Sequence, residues 1–66
     1  MQESNEMLFL SEYCGPRRTA WVCRRNLKSD YVVIGYIDGL ERMAHPFTNE
    51  QQAEDYAEDW VLLNNE

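Results

Sequence analysis

The chain has 66 residues and a formal net charge of −6, from 12 acidic and 6 basic side chains. At this length we expect one small domain with a thin core, and we expect neither a secretory signal, because residues 1–6 are polar and acidic, nor a membrane span, because no apolar run reaches the about 20 residues that cross a bilayer. Two cysteines are too few for the disulfide framework of a small secreted protein. We therefore expect a single cytoplasmic domain, residues 1–66, with two free thiols and with residues 1–6 disordered.

Residues 7–47 predict an antiparallel sheet of three or four strands. Residues 7–10 are a short apolar run, and Gly15-Pro16 signals a turn behind it. Arg18–Arg25 mixes β-branched and aromatic residues with polar ones, and Tyr31–Ile37 is apolar on both faces. This last segment is expected to lie at the centre of the sheet.

Asp38-Gly39 predicts a tight hairpin, because a type I′ turn requires positive φ at both central residues and this pair tolerates it. Pairing Ile37 with Leu40 then fixes a register in which these residues face each other: Tyr36 and Glu41, Ile34 and Met43, Val32 and His45. Pro46 is expected to end the strand, because it has no N–H for a ladder.

A helix is predicted over residues 48–64. Thr48-Asn-Glu-Gln51 fits a capping box with Thr48 as the N-cap. Spacing at 100° per residue gives an apolar stripe of Ala53, Tyr56, Ala57, Trp60 and Leu63. The expected fold class is α+β: a three- or four-stranded antiparallel sheet followed by one C-terminal amphipathic helix packed on one face.

The other side of this helix carries a carboxylate strip, consisting of Glu50, Glu54, Asp55, Glu58 and Asp59. Like charges at i,i+4 destabilise a helix by about 0.2–0.5 kcal/mol per pair, and acids in the first turn favour the helix dipole, which explains Glu50 alone. The strip places one charge per roughly 3 Å of axis, close to the ~3.4 Å per charge of a DNA strand. It indicates docking on a basic, nucleic-acid-binding surface of a larger protein; a merely solvated acidic face is the alternative.

Catalytic and metal-binding patterns are missing from the sequence. The single histidine, His45, and two cysteines have no zinc-ligand spacing, and there is no phosphate-binding glycine loop. Carboxylate pairs on a convex helix face lack the pocket that separates acid from base. We therefore expect no enzymatic activity, no metal and no cofactor.

A basic cluster surrounds Trp21 and consists of Arg17, Arg18, Arg24, Arg25 and Lys28. Cations interleaved with an aromatic residue can form a platform for single-stranded nucleic acid, which is the first alternative function. The same cations could instead protect an edge strand or pair with the chain's own acids. The net charge of −6 argues against direct nucleic-acid binding.

A compact acidic chain of this length, with a capped helix carrying the carboxylate strip, resembles the small phage-encoded inhibitors of bacterial defence or transcription, including anti-CRISPR proteins and DNA mimics. The resemblance covers size, charge and architecture, with no shared motif and no functional residues to transfer. It implies non-enzymatic binding to a host protein's nucleic-acid-binding or partner surface. The basic cluster departs from a pure DNA mimic and indicates a two-sided binder.

A structural homodimer is the second alternative. Tyr31–Ile37 is apolar on both faces, and one helix covers only one side of a sheet. Val61 and Leu62 also lie off the predicted stripe. An uncovered apolar face usually marks an interaction site, so we expect Val33, Ile37 and Leu40 to form a dimer contact, with the acidic helices facing outward.

Overall fold

The structure, a computed structural model, describes residues 7–25 and 30–63. In chain order these form β1 (Met7–Cys14), β2 (Arg18–Arg25), β3 (Tyr31–Ile37), β4 (Leu40–Phe47) and α1 (Glu50–Val61). The strands make one antiparallel sheet in the order β1-β2-β3-β4, and α1 packs on it mainly against β2 and β3. The predicted fold class is confirmed. The expectation for residues 1–6 falls outside the described residues.

Small side chains make the contact between α1 and the sheet. The buried cluster consists of Ala20, Val22, Val33, Ala53, Ala57 and Val61. A Cβ on Gly35 would lie 2.7 Å from the Trp60 ring, so the missing side chain makes room for the indole. The helix can therefore lie close to the sheet, and its two larger residues, Tyr56 and Trp60, pack at the edge of this core.

The β3–β4 hairpin turns as predicted, but its register shifts after two residue pairs. Asp38 and Gly39 have φ values of 55° and 85°. The ladder then pairs Ile37 with Leu40, Tyr36 with Glu41, Gly35 with Met43, Ile34 with Ala44, and Val33 with His45. Arg42 is the extra residue of a β-bulge, and such a residue moves every later side chain to the opposite face. The predicted pairs Ile34–Met43 and Val32–His45 are wrong for this reason.

Pro46 does not end β4, which continues to Phe47 with Pro46 opposite Val32. The strand order places β4 at an edge of the described sheet. A proline is tolerated on an edge strand because its missing N–H interrupts no ladder on the outer side.

The helix begins one residue later than the predicted capping box. Asn49 is the N-cap, and its side chain accepts a hydrogen bond of 3.1 Å from the Gln52 backbone N–H. The helix ends at Val61, which is buried, while Leu63 is half exposed. Val61 lies four residues after Ala57 and so falls on the same helix face. The N-cap is therefore Asn49 and not Thr48, and the buried stripe of the helix contains Val61 and not Leu63.

Candidate partner-binding surfaces

The solvent side of α1 exposes four carboxylates: Glu50, Asp55, Glu58 and Asp59. Asp55 accepts a hydrogen bond of 3.1 Å from the Gln51 side chain. The ion pairs found among the described residues join Arg17 to Asp38 and Arg25 to Asp30, and neither involves a carboxylate of α1.

Glu54, the remaining member of the carboxylate strip, is half buried and contacts β1. It accepts hydrogen bonds from the Ser11 hydroxyl, at 2.8 Å, and from the Tyr13 hydroxyl. The hydrogen bond to Glu54 raises the pKa of Tyr13 to about 12, with further contributions from burial and from the charges of Glu54, Glu58 and Asp55. Glu54 thus fastens α1 to β1, and only part of it remains on the surface that a partner can reach.

The basic cluster is divided between the two faces of the sheet. Arg18 is buried on the helix face, where its guanidinium lies 4.7 Å from the Trp60 ring centre and donates to the Trp60 carbonyl at 3.3 Å. Arg24 lies on the same face, 5.9 Å from the Tyr31 ring centre. Trp21 points to the opposite face, so the structure does not join these cations and the indole in one platform.

The other cations of the cluster are held near the two ends of β2. Arg17 pairs with Asp38 at 2.7 Å, and Arg25 pairs with Asp30 at 3.4 Å. Lys28 lies outside the described residues. Arg18 also has a structural role: a cation beside the last carbonyls of a helix stabilises the helix by complementing its dipole. The sequence analysis missed this role.

No described element covers the sheet face opposite α1, here called the open face. Trp21 lies at its centre, with ring centres 5.7 Å from Phe9 and 5.1 Å from Tyr36. The indole N–H donates to Glu12 at 3.2 Å. Phe9 reaches this face because of a second bulge, at Leu10, which reverses the alternation of β1.

A shallow groove of about 340 Å³ opens beside the Trp21 indole. It is lined by Glu12, Thr19, Trp21, Tyr36 and Gly39. These residues come from three strands and the β3–β4 turn, so only the assembled sheet brings them together. The sequence analysis named Trp21 but missed its neighbours.

The residues predicted for a dimer contact lie on the same side of the sheet as α1, not on the open face, because Ile37 is opposite Arg18 in β2 and Leu40 in β4. Val33 has no exposed area because α1 packs on its side of β3, so the choice of Val33 as a dimer residue is wrong. Ile37 is half buried, whereas Leu40 is 61% exposed at the hairpin. The homodimer stays a prediction, with the open face as its available surface.

Among residues 7–25 and 30–63, no three His, Cys, Asp or Glu side chains come together in a way that could hold a metal ion. His45 forms a cluster with two aromatic rings: it stacks on Phe47, with ring centres 4.7 Å apart, and contacts Tyr56 at 5.0 Å. Cys14 and Cys23 are free thiols, and burial raises the pKa of Cys23. In the described part of the chain, no helix reaches the length and apolarity needed to cross a membrane.

Comparisons with protein-family models, with curated proteins and with solved structures found no significant match to this chain. The surfaces of α1 and of the open face are therefore the basis for a functional proposal.

Proposed function

We propose that this protein is a non-enzymatic binding module that docks the exposed carboxylates of α1 onto a basic surface of a larger protein. One observation carries the proposal: Asp55, Glu58 and Asp59 stand exposed within two helical turns, while the two ion pairs between described residues, Arg17–Asp38 and Arg25–Asp30, lie outside α1. Asp55 and Asp59 repel each other at i,i+4. A helix selected for stability alone would gain from a lysine at one of these positions, whereas a basic partner relieves the repulsion on binding.

Because Glu54 is hydrogen-bonded to β1, the proposal differs from the one that the sequence suggested. The four remaining carboxylates are unevenly spaced along α1, so the match to the phosphate spacing of a DNA strand is weaker than the sequence predicted. Docking then depends on charge density more than on mimicry of a regular repeat. An inhibitor of the phage-encoded kind, anti-CRISPR or DNA mimic, is the version that the sequence resemblance favours, with a nucleic-acid-binding site of a host protein as the target.

Charge-driven docking has a characteristic dependence on salt. Complementary charges accelerate association, and screening shortens their range from about 10 Å at 0.1 M salt to about 3 Å at 1 M. The complex should therefore form quickly and weaken as salt is added.

The test compares the wild-type protein with a triple variant, Asp55→Asn, Glu58→Gln and Asp59→Asn, which keeps side-chain size and removes charge. Each serves as bait for host proteins at low salt, and the affinity of the recovered partner is then measured over a salt series. We expect the triple variant to bind at least about tenfold more weakly, because charge-assisted contacts contribute about 1.5–3 kcal/mol and 1.4 kcal/mol is tenfold.

The single variant Asp59→Asn is measured as well, and Glu41→Gln is its control, since it removes one exposed carboxylate from β4 instead of α1. It should leave the affinity unchanged. A partner that binds the triple variant as tightly as the wild type would show that the acidic side of α1 is only a solvated surface.

A further inference from the structure

The groove beside Trp21 combines one carboxylate with two aromatic rings. Glu12 is exposed, and its Oε2 accepts the indole N–H of Trp21 at 3.2 Å. This hydrogen bond holds the carboxylate against the ring and leaves Oε1, and one lone pair of Oε2, to accept hydrogen bonds from a ligand.

The rings of Trp21 and Tyr36 form adjoining walls of the groove, inclined at 55° with their centres 5.1 Å apart. Trp21 is 37% exposed, although it packs edge-on against Phe9. An aromatic ring attracts a cation to its face, and tryptophan does so most strongly. The walls and the carboxylate thus favour the same kind of ligand, a flat organic cation.

The charges around the groove favour a cation as well. At the hairpin end Arg17 is paired with Asp38 at 2.7 Å, and these two charges largely offset each other. Arg42, the bulge residue of β4, also lies near Asp38, whose pKa it helps to lower after the larger effect of Arg17. Glu12 is the charged residue in the lining. A phosphate that approached Trp21 would meet this carboxylate, so the groove disfavours nucleic acid.

We propose that the groove of Glu12, Thr19, Trp21, Tyr36 and Gly39 binds the guanidinium group of an arginine side chain from a protein partner. The guanidinium is planar, stacks on aromatic faces and donates in a fork that fits a carboxylate, whereas an ammonium is a compact and strongly hydrated charge. This inference deepens the proposed function and rests on it, because it names a side chain that the basic partner would supply.

The two surfaces lie on opposite faces of the sheet but border the same strand. Glu54 of α1 contacts Ser11 and Tyr13, and Glu12 of β1 lies between them in sequence and faces the other way. β1 is an edge strand of the described sheet. A partner that reaches around this edge can touch both the carboxylates of α1 and the groove.

The experiment needs no knowledge of the partner. Amide and indole NMR spectra of the full chain are recorded during titration with N-acetylarginine amide and, separately, with N-acetylcitrulline amide, its neutral isostere, at constant ionic strength. We expect saturable shifts of the Trp21 indole N–H and the Gly39 amide with arginine, and at least about tenfold weaker binding of citrulline. N-acetyllysine amide should also bind more weakly than arginine.

Glu12→Gln preserves the volume and the acceptor for Trp21 but removes the charge, and it should lose most of the preference for arginine over citrulline. The triple variant of α1 should keep that preference, which separates failure of the groove from failure of the proposed function. Equal binding of arginine and citrulline, or an undiminished preference in Glu12→Gln, would overturn the proposal. Shifts caused by an oligothymidylate but not by arginine would overturn it in favour of base stacking.

Discussion

Glu54 shows how one carboxylate in an acidic row acquires a structural role. Its position on the helix is at the border between the buried stripe and the solvent side, next to β1. There it accepts hydrogen bonds from Ser11 and Tyr13, whereas Asp55 and Glu58 remain exposed. The helical periodicity of the sequence placed all of them on one polar arc, and only the position of β1 distinguishes them.

The contact between Tyr13 and Glu54 predicts a specific alkaline transition. The unfolded chain ionises Tyr13 near pH 10, and the folded chain does so near 12. Between these values the unfolded state binds fewer protons, so this group's contribution to stability is intact below pH 10 and is lost as the pH rises toward 12. Titration of the tyrosinate absorbance should show a delayed ionisation step that belongs to Tyr13.

Tyr13→Phe should abolish the delayed step and reduce the loss of stability above pH 10. Tyr36→Phe, which alters a ring on the open face, should retain it. Delayed ionisation that survives in Tyr13→Phe would contradict the assignment to Tyr13.

At the scale of the elements, the N-terminus of α1 gives a direct test of the revised helix boundary. Asn49 accepts from the Gln52 backbone N–H, whereas Thr48 precedes the cap. Removing an N-cap side chain destabilises a protein by about 0.5–2 kcal/mol, and an ordinary surface substitution stays within about 0.5 kcal/mol. Chemical denaturation should therefore show that Asn49→Ala is destabilising and Thr48→Ala nearly neutral. The reverse order would restore the predicted capping box.

The strands, the hairpin turn and the helix could be predicted because each has a local signal. The two β-bulges could not be predicted, since the alternation of polar and apolar residues gives no signal for the residue that each bulge inserts. The one at Arg42 turned His45 toward the helix, and the one at Leu10 turned Phe9 away from it. Because the side-chain period of a strand is two, each bulge reverses the faces of all residues beyond it.

Other features were present in the sequence but were not used. Arg18 and Arg24 have even numbers in β2 and Trp21 an odd one, so simple alternation already separates them. The face that α1 covers could also have been inferred. One face of the central strands offers Gly35 and small residues, whereas the other offers Trp21 and Tyr36, and only the first admits a helix at close range.

At the scale of the whole molecule, residues 7–25 and 30–63 form two layers, and no element among them covers the open face. The largest fully buried side chains are Val22 and Val33, so the core beneath α1 is thin. On the open face Phe9 is 56% and Trp21 37% exposed, and their rings are in contact. Contiguous apolar surface of this kind usually marks an interaction site. A second copy could use it while leaving the carboxylates of α1 outward.

Self-association is therefore expected to depend on concentration and on the open face. Burial of apolar surface contributes about 25 cal/mol per Å² to the free energy of association. The loss of translational and rotational freedom by the two molecules partly offsets this contribution. Light scattering over a dilution series should show a mass that rises above 7.8 kDa at high concentration. Phe9→Ser should weaken the rise, whereas Leu62→Ser, which removes an exposed leucine after α1, should not. A constant 7.8 kDa would exclude the dimer.

The dimer and the arginine groove can be tested against each other, because both use the open face. A second copy seated on Trp21 would cover Glu12, so a ligand that binds only the uncovered groove must favour the monomer by mass action. Adding N-acetylarginine amide to the concentrated protein should lower its mass toward 7.8 kDa, and N-acetylcitrulline amide should have little effect. If arginine occupies the groove while the mass stays doubled, the second copy must contact a different surface, and the exposed leucines, Leu40 among them, become its candidate residues.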